Sequence, residues 1–129
     1  MSDPNSKSPK TILVVDDDYD CRTLVKTVLS NAGYHIEQCA DGYEAIEKLK
    51  TLKPDLLVLD IMMPGITGYD VVIHMKQRPE TQNIPIIILT AKGEYDDMIV
   101  GYNEYQVDYY IPKPFTSRQL LSGIKLILE

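Results

Sequence analysis

Hydrophobic positions in this chain fall into short continuous runs, separated by longer stretches in which they recur at helical spacing. The run Leu56-Leu57-Val58-Leu59 follows Pro54-Asp55 and closes on Asp60, with Pro64 soon after. Four apolar residues between prolines are too few for a buried helix, so the run reads as a central strand of a parallel sheet covered on both faces. Thr11-Ile12-Leu13-Val14-Val15 is a second such run, ending in Asp16-Asp17-Asp18, and Pro85-Ile86-Ile87-Ile88-Leu89-Thr90 is a third. Tyr34-His35-Ile36-Glu37-Gln38-Cys39 alternates enough for a strand with one partly exposed face, and Asp108-Tyr109-Tyr110-Ile111 makes a short last strand.

The intervening stretches predict helices. From Tyr19 to about Asn31 the apolar positions Cys21, Leu24, Val25, Val28 and Leu29 share one face, with Asp18 as N-cap and Gly33 as a stop. Asp41 followed by Glu44 opens a second helix through Ala45, Ile46, Leu49 and Leu52, which Pro54 ends. Thr67 caps a third, buried through Val71, Val72 and Met75 and stopping near Pro79. Residues 94–105 carry Met98, Ile99 and Tyr102 with acidic residues in the first turn, and predict a fourth. Thr116-x-x-Gln119 matches a capping box, and Leu120, Leu121, Ile124, Ile127 and Leu128 form the stripe of a closing fifth helix. Five strands alternating with five helices give an α/β doubly wound domain with a parallel sheet.

Length and composition narrow this further. At 129 residues the chain fits one domain able to bury a core without staples. Residues 1–10 are polar, with nothing to pack, and predict a disordered N-terminal tail before a domain at 11–129. No apolar run nears the roughly 20 residues that span a bilayer, and no signal peptide's apolar centre is present, so a cytoplasmic protein without membrane insertion is expected. Cys21 and Cys39 sit within periodic apolar segments without CxxC spacing, which predicts two buried reduced thiols. A net charge of -6 argues against direct nucleic-acid binding through this domain and suits a site that holds cations.

Candidate chemistry lies at the strand ends. A charge closing a buried strand is costly unless it faces a cleft and has a partner, and in open α/β sheets ligands gather outside the carboxyl ends of the strands. Asp16-Asp17 end the first strand, Asp60 the third and Thr90 the fourth, while Lys113 follows the fifth. Taken singly, an acidic pair after a strand is more often a cap and turn, and a Lys between prolines is usually solvated. Together on one rim they form a cluster in which three carboxylates face one ammonium. A divalent cation would offset the excess, and hard oxygen ligands without His or Cys suit Mg²⁺, or Mn²⁺, better than Zn²⁺. Such a cation beside a carboxylate, a hydroxyl and a lysine makes a clamp for a phosphoryl group, with Asp60 as the acceptor.

The segments ILVVDDD (12–18), LVLDIMMPGITG (57–68), IIILTA (86–91) and YYIPKPF (109–115) resemble the CheY-like receiver domain of two-component response regulators, and the likeness covers nearly all of residues 11–129. The resemblance implies a (βα)5 flavodoxin-like fold with strand order 2-1-3-4-5. It implies that Asp16 and Asp17 hold Mg²⁺ with Asp60 and the backbone carbonyl of Met62, and that Asp60 is phosphorylated from a phosphohistidine. Thr90 becomes the switch hydroxyl, Lys113 the phosphate-pairing cation, Tyr110 the switch aromatic, and Lys113-Pro114 a cis peptide. A sensor histidine kinase or histidine phosphotransfer protein is the implied donor. The output is expected through the face of the fourth helix, fifth strand and fifth helix, toward a downstream protein or a phosphorylation-dependent dimer.

That face carries Tyr95, Tyr102, Tyr105, Tyr109 and Tyr110, and tyrosine clusters favour interfaces, although single tyrosines are as often core or isolated surface residues. With no output segment after Glu129, output would pass through protein contacts if the chain is complete. Three departures stand out: Gln106-Val107 where the family often has Gly-Ala, Thr67 where Asp is common, and Met62, which offers the metal its backbone alone. Two rivals are disfavoured. An aspartyl phosphohydrolase wants a second Asp where Met62 stands, and a flavin carrier needs a phosphate-cradling loop where Asp16-Asp17-Asp18 would repel the phosphate.

Overall fold

The computed structural model describes residues 8–91 and 106–129. Five parallel strands form one sheet in the order β2-β1-β3-β4-β5. These are β1 (Thr11–Val15), β2 (His35–Cys39), β3 (Leu56–Asp60), β4 (Ile86–Thr90) and β5 (Tyr109–Pro112). Among the described residues, four helices cover them: α1 (Tyr19–Asn31), α2 (Gly42–Lys48), α3 (Gly68–Lys76) and a C-terminal helix, Ser117–Leu128. The helix expected over 94–105, and most of the expected N-terminal tail, lie outside the described residues.

Side chains alternate across the sheet, so each apolar run serves two cores. Leu13, Val15, Leu57, Leu59, Ile86 and Ile88 pack beneath α2 and α3 against Ala45, Val71, Val72 and Met75. Ile12, Val14, Leu56, Val58, Ile87 and Leu89 face the other way, toward Val25 and Leu29 of α1 and Leu120 and Ile124 of the C-terminal helix. Every residue of β3 and β4 is buried, whereas the edge strand β2 is mostly half-covered. The continuous runs and the alternating run thus report position in the sheet.

Caps set the helix starts. Asp18 accepts from the Asp20 amide, Asp41 from Glu44, Thr67 from Asp70 and Thr116 from Gln119. The last two are closed capping boxes, so Thr67 serves as cap despite the family's frequent Asp. Gly33, at φ +100, ends α1 in a left-handed conformation that a side chain would resist. One helix is shorter than its periodicity predicts: α2 stops at Lys48 with Leu49 as C-cap. The amides of Thr51 and Leu52 both turn back to the Lys48 carbonyl ahead of Pro54. Leu49 is buried and Leu52 packs on the core from this turn, so burial extends past the helix that it suggested.

Gln106 answers the question raised by the Gln-Val departure. It adopts φ 56, the left-handed region that glycine occupies without cost, and Val107 beside it is buried.

Candidate functional site

The strand ends converge as parallel topology requires. Carboxylate oxygens of Asp16, Asp17 and Asp60 all lie within 4.8 Å of one another. Asp16 is fully buried and Asp60 nearly so, while Asp17 is exposed at the mouth. Lys113 reaches back from beyond β5, its Nζ 3.0 Å from Asp16 Oδ2 and 3.5 Å from Asp60 Oδ1. The Lys113-Pro114 peptide is cis, and the Lys113 amide donates to the Thr90 carbonyl at 2.6 Å. Thr90 itself is buried at the end of β4, the strand paired with β3. Met62 lies in the loop beyond Asp60 with its side chain exposed.

Electrostatics follow from this crowding. Burial pushes the Asp60 carboxyl up from 3.8 to about 6; Lys113 pulls it down, and the charges of Asp16 and Asp17 push it up again. Burial alone would lower the pKa of Lys113, but the hydrogen bond and charge of Asp16, joined by Asp60, outweigh it and hold the ammonium above its ordinary value. Among the described residues, three carboxylates gather against the Lys113 ammonium, with two of the acids buried, which leaves an excess of negative charge. The donors are all hard oxygens, one of them open to solvent, which fits Mg²⁺ with part of its water shell retained.

Several supports were not read from the sequence. The Asp18 amide donates to Asp16 Oδ1 at 3.0 Å. Arg22, one turn into α1, donates from Nη1 to the Asp16 carbonyl at 2.7 Å and lies 5.6 Å from the ring centroid of Tyr19. Cys21 is half-buried, not fully buried as expected, and burial followed by a hydrogen bond to Asp16 pushes its thiol up to about 12. Both cysteines are free. A basic residue on the first turn of the helix after the acidic loop was the one available signal for Arg22. Gly68 is also required: a Cβ there would sit 2.5 Å from the Asp60 carbonyl oxygen, and its amide donates to Ile61 O at 2.8 Å. The start of α3 is thereby pressed against the phosphoacceptor candidate's own backbone.

Tyr110 is buried, 3% exposed, in the core beneath α3. Its hydroxyl lies 2.9 Å from that of Tyr69, the residue after Gly68. The ring therefore points inward, toward Tyr69. Tyr109 is half-buried against the opposite core, and Tyr95, Tyr102 and Tyr105 lie outside the described residues.

Comparison with known proteins agrees with this geometry. Residues 12–125 match the sequence model of the response regulator receiver domain. The phosphate regulon transcriptional regulatory protein PhoB of Pseudomonas aeruginosa is 41% identical over 93% of this chain, which covers 52% of that protein. The alkaline phosphatase synthesis transcriptional regulatory protein PhoP of Bacillus subtilis is likewise 41% identical over 93% of the chain, covering 49% of its own length. The chain thus spans about half the length of these curated relatives. Among solved structures, a putative response regulator from Chloroflexus aurantiacus superposes with a TM-score of 0.88 at 38% identity, over 93% of this chain and 98% of that one. Vibrio cholerae chemotaxis protein CheY4 superposes at 0.87 with 29% identity, over 93% and 99%.

Proposed function

The chain belongs to the response regulator receiver domain family of two-component signalling, whose members are phosphorylation-controlled switches, and on that premise we propose that Asp60 accepts a phosphoryl group from a phosphohistidine in a Mg²⁺-dependent reaction. The observation that carries the reading is the convergence of Asp16, Asp17 and Asp60 on one rim with Lys113 spanning two of them. Asp16 and Asp17, with Asp60 and the Met62 carbonyl, would hold the cation. Bound there, Mg²⁺ supplies positive charge against the phosphoryl oxygens.

The remaining work falls to the protein's side chains. An Asp60 carboxylate oxygen attacks phosphorus, the phosphorus–nitrogen bond to the donor imidazole breaks, and its electron pair leaves on the imidazole nitrogen. An acyl phosphate on Asp60 results. At neutral pH a carboxyl that titrates near 6 is mostly ionised, and so available as the nucleophile. Lys113, already shared between Asp16 and Asp60, pairs with the incoming oxygens, and the Thr90 hydroxyl donates to the product. Autophosphorylation by small phosphodonors and autodephosphorylation use the same groups.

The donor would be a sensor histidine kinase or histidine phosphotransfer protein. The signal would leave through the face around β5 and the C-terminal helix, toward a downstream protein or a second copy of the chain. A receiver domain over 11–129 acting inside the cytoplasm fits this reading, and no described helix is long and apolar enough to cross a membrane.

Acetyl phosphate with Mg²⁺ should add one base-labile phosphoryl group, mapped by mass spectrometry to Asp60 and absent from Asp60→Asn. Label that persists in that variant, on Ser or Thr, would overturn the proposal.

A further inference from the structure

The contact between Tyr69 and Tyr110 links two parts of the molecule that the sequence keeps 41 residues apart. One end is the start of α3. Gly68 packs without room for a Cβ against the Asp60 carbonyl, and its amide is tied to Ile61, so this turn cannot shift without disturbing the loop that follows the phosphoacceptor. The other end is β5. Tyr110 pairs in register with Ile88 of β4, whose side chain shares its core, and Thr90 lies two residues further along the same strand and face.

A tyrosine ring that turns inward loses water from its hydroxyl, and that loss is offset only if a partner waits inside. Tyr69 is such a partner: its half-buried ring packs against the same core, and its hydroxyl lies 2.9 Å from that of Tyr110. With the Tyr110 ring turned out, water takes over and the contact to Tyr69 is lost. The bond thus belongs to one of the two ring positions, which is the condition for biasing the equilibrium between them.

We propose that Tyr69 is a positioning residue for the switch: its hydroxyl holds Tyr110 in the buried rotamer, giving Asp60 a second connection to β5 through the start of α3. This rests on the reading of Tyr110 as the switch aromatic and adds to it a route separate from Thr90.

Tyr69→Phe removes one oxygen and leaves the ring. An ordinary hydrogen bond corresponds to a roughly two- to ten-fold change in the ratio of buried to outward Tyr110. By linkage the affinity for beryllofluoride in Mg²⁺ falls by up to the same factor. Ring-carbon-labelled tyrosine NMR reads the ratio, titration reads the affinity, and the titration and melting temperature are repeated in a Tyr110→Phe background. The expected result is a shift of the Tyr110 ring signal toward an exposed ring, and an affinity loss that vanishes when Tyr110 lacks its hydroxyl. A purely structural role for Tyr69 would lower affinity and melting temperature equally in both backgrounds, and that result overturns the proposal. An unmoved Tyr110 signal overturns it too. Wild-type protein that binds no beryllofluoride would refute the phosphoacceptor reading alone, and the ring signal would still decide the role of Tyr69.

Discussion

Replacing Asp60 by Asn should stabilise the metal-free protein at neutral pH, and the gain should fade in acid. Asn copies the shape of a protonated carboxyl and cannot ionise. In the folded state the Asp60 carboxyl titrates near 6 instead of 3.8, because burial and then its acidic neighbours outweigh the pull of Lys113. A group whose folded-state pKa lies above its unfolded one is favoured by folding in its protonated form. That contribution is complete below about pH 4 and is lost as the pH rises through about 6. The wild-type protein therefore carries a penalty at pH 7 on the order of 3 kcal/mol, which shrinks to less than about 1 kcal/mol at pH 4. The Asp60 side chain is 10% exposed, so solvent screening takes little from this figure.

Urea unfolding in the presence of a chelator measures the difference. With slopes of about 1–3 kcal/mol per molar, the midpoint of Asp60→Asn should exceed that of wild type by about 1–3 M at pH 7 and by a fraction of that at pH 4. Mg²⁺ should narrow the gap at pH 7 by stabilising the wild-type site. Equal midpoints at pH 7, or a gain that grows toward acid, would refute the assignment of Asp60 as a buried carboxylate crowded by like charge.

Two further outcomes follow from other positions. Millimolar Mg²⁺ should raise the melting temperature of the wild-type protein through binding to the native state, and Asp17→Asn should remove most of that rise while stabilising the metal-free form; identical responses in a thermal scan would exclude the acidic pair as the site. Gln106→Gly should relieve a left-handed backbone position and stabilise by up to about 1 kcal/mol, read as a higher melting temperature, whereas a loss would show that the Gln side chain contributes more than the strain costs.

Much of this molecule was legible because parallel topology turns sequence order into position. β3 and β4 are buried on both faces, so they read as continuous apolar runs, and β2 at the edge alternates. Polar residues that end such runs must share a rim, so Asp16, Asp17, Asp60 and Lys113 could be grouped before any distance was known. What stayed illegible depends on quantities that sequence does not carry. Hydrophobic periodicity records burial, not hydrogen bonding, and so it ran α2 on to Leu52 although the helix closes at Lys48. The hydroxyl contact of Tyr69 with Tyr110 depends on where α3 crosses the sheet, and neither residue's neighbours in sequence announce it. The left-handed backbone of Gln106 was signalled only by the family's frequent Gly at that position, since Gln itself prefers other conformations.

The contrast between the candidate site and the rest of the fold bears on the role proposed for it. Among the described residues no buried side-chain nitrogen or oxygen lacks a partner, and the two cores are apolar throughout apart from a few hydroxyls and thiols at their margins. At the rim that consistency breaks: Asp16 and Asp60 are both buried, both acidic, and share the ammonium of Lys113. A fold optimised for stability alone would replace one of these acids with a neutral residue. Retaining them would leave the native state with affinity for positive charge, so that the cation of the proposed reaction would relieve a destabilised arrangement. The same argument explains the placement of Gly68. A rigid turn packed on the Asp60 backbone allows a change in charge at that carboxylate to reach α3 and Tyr69 as a displacement, where a looser contact would absorb it.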